Sequence, residues 1–324
     1  MHREPIYTSA IGAHIAGFIS EKRASGFKYT YEAHIMRRFD EYWAGYGYAD
    51  TGLTQENLAG WLQKWEPGNG SSLVHRISVI RQFSIYLNGL GIPSYMPSFT
   101  VSCQPHARLP LTRAELGEFF AQADAPPEKN KGIHNKRIAD EYPVLFRLIY
   151  LNGMRISEAC RLPVSHVDLD GGTIIILNGK GNKDRLVYMA DDMRKLLKDY
   201  LDHIEKLLGE KPLYVFPGLD PRKPISPLSA GRKFNILWEK TSFSGSRPKP
   251  SVHDLRHTYV VDRINRWMEQ GLDFEHMLPY LCKFLGHRNF RETYYYYHYA
   301  EEAAKTIREK DKVIGRVIPE VMRR

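Results

Sequence analysis

At 324 residues, with 43% hydrophobic and 26% charged residues, the chain is long enough for two ordinary domains, each with its own core. No run approaches the roughly 18 unbroken apolar residues of a membrane span, and the opening MHREPIYTSA lacks the basic-then-apolar layout of a secretion signal, so a cytoplasmic protein with no membrane partner is expected. The net charge of +9 is unevenly spread: Lys+Arg stand 9 against 8 acids in residues 1–103 but 37 against 29 in residues 104–324, and a polyanionic partner for the second part is the natural inference.

Residues 6–92 read as four amphipathic helices in a small bundle. Ile11, Ile15, Phe18 and Ile19 share one face, as do Ile35, Met36, Phe39, Tyr42 and Trp43; Leu58, Trp61, Leu62 and Trp65 follow, then Leu73, Ile77, Ile80 and Leu87 before the stop at Asn88-Gly89 and Gly91-Ile92-Pro93. The stretch from Ser94 to Pro110 lacks a period and carries three prolines, which predicts a linker, drawn at 104–111 between a helical unit over 1–103 and a second domain over 112–324. Thr112 with Glu115 is a capping-box pattern ahead of Leu116, Phe119 and Phe120. An apolar helix is expected from about Tyr142 to Leu151. The only convincing β signal follows: Thr173–Leu177 and Arg185–Met189 flank the Gly-rich loop Asn178–Asp184, predicting a hairpin, after which the helical pattern returns. The fold class is therefore mainly α with a small antiparallel sheet. Cys103, Cys160 and Cys282 are too scattered for a zinc site or a disulfide framework, and neither metal nor cofactor is expected.

Five features of the second domain need a joint explanation: Arg155 in GMRISEAC, Lys180 in the GKGNK loop, His253, Arg256 and His257 in HDLRH, His287 in LGH, and the tyrosines of TYYYYHY. Each alone is commonplace; together they suit attack on a phosphodiester. Two guanidinium forks and one or two imidazoles can bind the non-bridging oxygens as charge develops there. A lysine on a hairpin can protonate the departing 5′-oxygen. A phenol can hold the phosphate covalently, although with an ordinary pKa near 10 only roughly one tyrosine in a thousand is ionised at pH 7, so positive neighbours or a base must help.

HDLRH, LGH and a tyrosine nine residues beyond that histidine, with GMRISEA and GKGNKDRLVYM upstream, resemble the phage-integrase and Xer family of tyrosine recombinases over about residues 108–300. The helical N-terminal unit is similar to that family's core-binding domain by pattern and length. The resemblance implies a two-domain clamp on double-stranded DNA at specific sites, acting in the nucleoid through a 3′-phosphotyrosyl intermediate. It implies that Arg155 and Arg256 clamp the scissile phosphate, His287 donates to it, Lys180 protonates the leaving hydroxyl, and His253 takes the nucleophile's proton. Glu158 and His257 would orient these groups. Family spacing points to Tyr296 as nucleophile among Tyr294, Tyr295, Tyr296, Tyr297 and Tyr299, with Tyr297 next, and Thr293 and His298 fall where the family's T-x-x-Y-x-H pattern puts them.

DNA contacts are expected from Lys22, Arg23, Lys28, Arg37, Arg38, Arg76 and Arg81 in the first unit and from Lys183, Arg185, Arg232 and Lys233 in the second. The family also implies a homo-oligomer, dimer to tetramer, joined by the tail Glu301–Arg324 with its Ala303, Ala304, Ile307, Val313, Ile314, Val317 and Ile318. The gap of 34 residues from His253 to His287 is longer than in compact Xer-like members, and, with the helical unit beginning close to residue 1, no arm-binding domain is expected. A type IB topoisomerase-like relaxing enzyme and a non-catalytic DNA-binding protein on the same scaffold are the alternatives.

Overall fold

The computed structural model describes residues 6–63, 70–98, 109–126, 133–179, 183–287 and 289–299. Trp65, Cys103, Lys180 and the tail 301–324 lie outside them, as do the side chains of His298 and Tyr299. The chain divides into two compact units, Met1–His106 and Ala107–Arg324.

The first unit is built from α1 (Gly12–Ala24), α2 (Thr30–Gly45), α3 (Gln55–Gln63) and α4 (Gly70–Gly89). The faces expected from helical spacing are the buried ones: Ile15, Phe18, Met36, Phe39, Trp43, Leu58, Ile80, Phe83 and Leu87 form one core. Asp40 is buried within it, accepting from the backbone N–H of Thr8 at 2.7 Å and of Ser9 at 3.2 Å, which fixes where the chain enters α1.

The second unit opens with α5 (Arg113–Asp124), where the expected capping box is formed: Thr112 Oγ1 accepts from Glu115 N at 3.2 Å and Thr112 N donates to the Glu115 carboxylate at 2.7 Å. Helix α6 (Ile133–Asn152) starts well before the Tyr142 expected, and runs through Pro143. Its early part carries charged residues, two of which are buried. Arg137 and Glu141 are both buried in an ion pair, and Arg137 also donates to the carbonyls of Pro217 and Gly218. A count of apolar positions cannot register a helix face buried through its charges.

Short α7 (Ile156–Cys160) leads into a three-stranded antiparallel sheet in the order β1 (Val167–Asp168), β2 (Thr173–Ile176), β3 (Arg185–Tyr188). The hairpin register pairs Ile174 with Val187 on the buried face and Ile175 with Leu186 on the exposed face. Then come α8 (Asp191–Leu208), α9 (Pro227–Trp238), α10 (Val252–Glu269), α11 (Phe274–Leu285), α12 (Arg291–Tyr294) and a 3₁₀ turn, Tyr295–Tyr299. The additional length between the two histidines is taken up by α10, a turn over residues 270–273, and α11. Phe119, Phe146, Ile174, Val187, Phe216, Phe234 and Trp238 fill the larger core. Val260, Ile264, Phe274, Leu278, Leu285 and Tyr296 fill a smaller one beneath α10 and α11.

Burial pushes the Glu141 carboxyl pKa up to about 8 even beside Arg137, so removing the guanidinium leaves that buried carboxyl and the carbonyls of Pro217 and Gly218 without their donor. Arg137→Met is therefore expected to lower the unfolding free energy by about 3–5 kcal/mol, read from urea denaturation against the parent chain; a loss under about 1 kcal/mol would contradict the anchoring role given to this guanidinium.

Candidate active site

The site grows from the C-terminus of α11. Gly286 ends the helix at φ +65°, a conformation glycine adopts without cost. Two of the carbonyls left open by the helix end are closed locally, Cys282 O by His287 N at 3.0 Å and Lys283 O by Gly286 N at 3.2 Å. The next three point outward and each accepts from a different arginine. Phe284 O takes Arg185 Nε at 2.9 Å, Leu285 O takes Arg256 Nη2 at 2.8 Å, and Gly286 O takes Arg155 Nη2 at 2.8 Å. The negative end of the helix dipole favours cations at this place.

Three further elements deliver those guanidiniums. Arg155 is the N-cap residue of α7, Arg185 opens β3, and Arg256 lies in the second turn of α10. Glu158 joins two of them: its carboxylate accepts from Arg185 Nη1 and Nη2 at 2.9 and 2.7 Å, from Arg155 Nη1 at 2.8 Å and from Arg155 N at 2.9 Å. Burial by itself would raise the Glu158 pKa, but the Arg185 fork and charge, with both Arg155 donors, hold it at about 2. Arg256 is 1% exposed and also donates from Nη1 to Gly153 O at 2.6 Å. Its burial, with Arg155 and Arg185 close by, brings its pKa down to about 9, so it remains charged at neutral pH.

His287 follows directly. Arg256 Nη2 lies 3.0 Å from His287 Nε2, and a guanidinium can only donate, so Nε2 holds a lone pair here. The ring proton is then on Nδ1, which donates to Thr293 Oγ1 at 2.7 Å. Thr293 is fully buried and also accepts from the Cys282 thiol at 3.0 Å.

The tyrosines separate by environment. Tyr294 and Tyr295 are 42% and 45% exposed, and Tyr297 stacks on Phe274 at 4.5 Å. Tyr296 is 6% exposed, parallel to the His287 ring at 6.4 Å and 5.0 Å from the His257 ring. His257 in turn meets His253 edge-on at 4.5 Å.

Of the expected site residues, Arg155, Arg256, Glu158, His253, His257, His287 and Tyr296 are thus brought together, and Lys180 lies outside the described residues. Other expectations shift. Arg185, expected as a DNA contact, is buried and held by Glu158. Arg76 is 4% exposed and covers the Trp61 ring, and Arg81 donates to Pro97 O at 3.1 Å. Lys22, Arg23 and Lys233 are half-buried, Lys22 over Phe18 and Lys233 over Tyr142. Lys28, Arg37, Arg38, Lys183 and Arg232 are exposed.

The model of the phage integrase family matches residues 111–303. The chain is 32% identical to tyrosine recombinase XerA of Thermococcus kodakarensis over 53% of its own length and 56% of that protein. It is 27% identical to tyrosine recombinase XerC of Lactobacillus delbrueckii subsp. bulgaricus, over 70% of this chain and 72% of the relative. Its fold is similar to that of XerH site-specific recombinase bound to palindromic difH substrate, with a TM-score of 0.58, 22% identity, and 86% and 79% of the two chains covered. The chain spans only about half the length of the first of these relatives.

The Glu158 pKa is depressed from its ordinary 4.5 to about 2, so the carboxylate stabilises the fold fully above pH 4.5 and that contribution fades as pH falls toward 2. Glu158→Gln should flatten this part of the stability-versus-pH curve, measured by urea unfolding at successive pH values, while lowering stability at pH 7. An unchanged acid slope would show that the carboxylate is not held by the two arginines.

Proposed function

The chain belongs to the phage integrase family, and from that membership we propose that it is a site-specific DNA recombinase, cutting and rejoining strands through a 3′-phosphotyrosyl intermediate without metal or cofactor. The convergence of Arg155, Arg256, His287 and Tyr296 around the end of α11 carries this reading.

Arg155 and Arg256 are oriented by backbone carbonyls, so they present charge to an incoming phosphate without prior rearrangement. A non-bridging oxygen arriving between Arg256 and His287 takes the guanidinium N–H that His287 Nε2 now accepts. Nε2 can donate to the same oxygen once it carries a proton, with Nδ1–H still tied to Thr293. Tyr296 Oη attacks phosphorus, the phosphorus–5′-oxygen bond breaks, and the phosphate stays on the tyrosine as a 3′ ester. Lys180 supplies the proton for the leaving 5′-oxygen; the phenol's own proton passes to the paired imidazoles of His257 and His253. Attack by a 5′-hydroxyl from the partner duplex reverses these steps and frees Tyr296.

Exposed Lys28, Arg37, Arg38, Lys183 and Arg232, with half-buried Lys22, Arg23 and Lys233, are the candidates for phosphate contacts on the duplex, which supply affinity rather than sequence reading. A relative crystallised on a palindromic site supports two-fold related protomers on each site. Exchange between two duplexes then calls for two such pairs, and the apolar positions of the tail, Ile307, Ile314, Val317 and Ile318, fit the contact between neighbours.

Duplexes spanning the ends of the protein's own gene, nicked to trap the cleaved strand, test the chemistry. A covalent protein–DNA adduct is expected with the parent chain, lost in Tyr296→Phe and kept in Tyr297→Phe; an adduct undiminished in Tyr296→Phe overturns the assignment of the nucleophile, and no adduct on any flanking sequence favours a non-catalytic DNA-binding protein. Exchange of strands between two labelled duplexes separates recombination from mere relaxation. For assembly, Ile314→Asp combined with Val317→Asp is expected to stop higher-order complexes in sedimentation on site DNA while a single protomer still binds; full-sized complexes would remove the tail from the interface.

A further inference from the structure

Arg185 has no role in the chemistry above, yet it is among the most constrained side chains of the site. It is 9% exposed, both terminal nitrogens are on Glu158, and its Nε is on Phe284 O. Three of its N–H groups thereby join three elements: β3, which carries it, α7 through Glu158, and α11 through the carbonyl. Glu158 in turn grips Arg155 from two directions. Gly286 is part of the same packing: a Cβ there would lie 3.2 Å from both Cδ and Nη1 of Arg185 and 3.5 Å from Nη1 of Arg155.

We propose that Arg185 is a positioning residue for strand cleavage, holding Glu158 and the α11 terminus so that Arg155 meets the scissile phosphate. This rests on the recombinase reading. A surface ion pair would tolerate loss of either partner with little effect. This one is buried, and its geometry decides where a second guanidinium points, so a shift of about 1 Å at Arg155 corresponds to roughly 100-fold in rate.

The proposal has a signature in pH. The charged groups facing Glu158 are Arg155 at the start of α7, Arg185 from β3 and Arg256 from α10. With all three present the carboxylate stays ionised far below neutrality. Without the Arg185 fork, the burial that opposes ionisation is less well offset. Protonated Glu158 donates rather than accepts at one oxygen and loosens Arg155, so cleavage gains a limb that falls toward acid.

The test uses the full-length protein and the nicked duplex on which the parent forms its Tyr296-dependent adduct. Arg185→Gln is expected to slow adduct formation about 100-fold, to change duplex affinity by less than about 3-fold, and to show the acid limb that the parent lacks. Arg185→Lys, which keeps the charge but offers one nitrogen in place of three, should recover part of the rate and shift the limb back; it also serves if the glutamine variant does not fold. Parent-like rates in these variants overturn the proposal while leaving the recombinase reading intact. So does a slower rate with the parent's pH profile, which marks Arg185 as structural only. Absence of a Tyr296-dependent adduct in the parent overturns the recombinase reading itself.

Discussion

The site depends on how one helix ends. A helix terminus leaves backbone carbonyls without partners, and in a protein interior each must find a donor. At α11 two are closed by its own turn, and the remaining three are answered by Arg185, Arg256 and Arg155 in consecutive order. Guanidiniums suit this role because each has donors to spare after binding a carbonyl, and because the end of the helix is negative. The same three bonds that complete the helix therefore also aim the arginines. Folding and preparation of the site are one event, and a disturbance at Gly286 or in the last turn of α11 is felt by all three cations together.

Charge follows from that arrangement. Among the four side chains gathered at the helix end, three guanidiniums face one carboxylate, so these four together carry two net positive charges. Keeping them close in a buried place has a visible cost, the lowering of the Arg256 pKa to about 9. On the recombinase proposal, a phosphodiester would bring one negative charge and an attacking phenolate a second. The transition state would then be the species that neutralises the cluster, whereas bound substrate would neutralise half of it. Stabilisation that is greater for the transition state than for the ground state is what raises a catalytic rate.

Much of this was legible in the sequence because it lies in side chains at recognisable spacing. The capping box at Thr112, the hairpin alternation from Thr173 and the buried faces of the N-terminal bundle all follow local rules of period and turn. GMRISEA, HDLRH and LGH located the arginines and histidines. Hidden features were those carried by the backbone or by burial against the usual trend. Nothing in a motif states that Phe284, Leu285 and Gly286 act through their carbonyls, nor that Arg185 turns inward, although it sits in the same segment as Lys180. The polar start of α6 was missed for a related reason: Arg137 and Glu141 satisfy one another out of reach of water, and a hydrophobic count reads such residues as surface.

The tyrosine lies on the C-terminal side of the same glycine. After Gly286 the chain turns through α12, only Arg291–Tyr294, and a 3₁₀ turn over Tyr295–Tyr299. Short elements of this kind draw little stability from their own hydrogen bonds and take their position from what they pack on. Thr293 provides that hold, tied to His287 and to the Cys282 thiol beneath it. His287 is therefore held directly by one buried hydroxyl, and Tyr296 follows that hydroxyl's residue in the next short turn. On the recombinase proposal, a nucleophile that must reach a phosphorus and stay attached to it through an exchange of strands would draw on such a mounting, a short turn that follows directly on the buried Thr293.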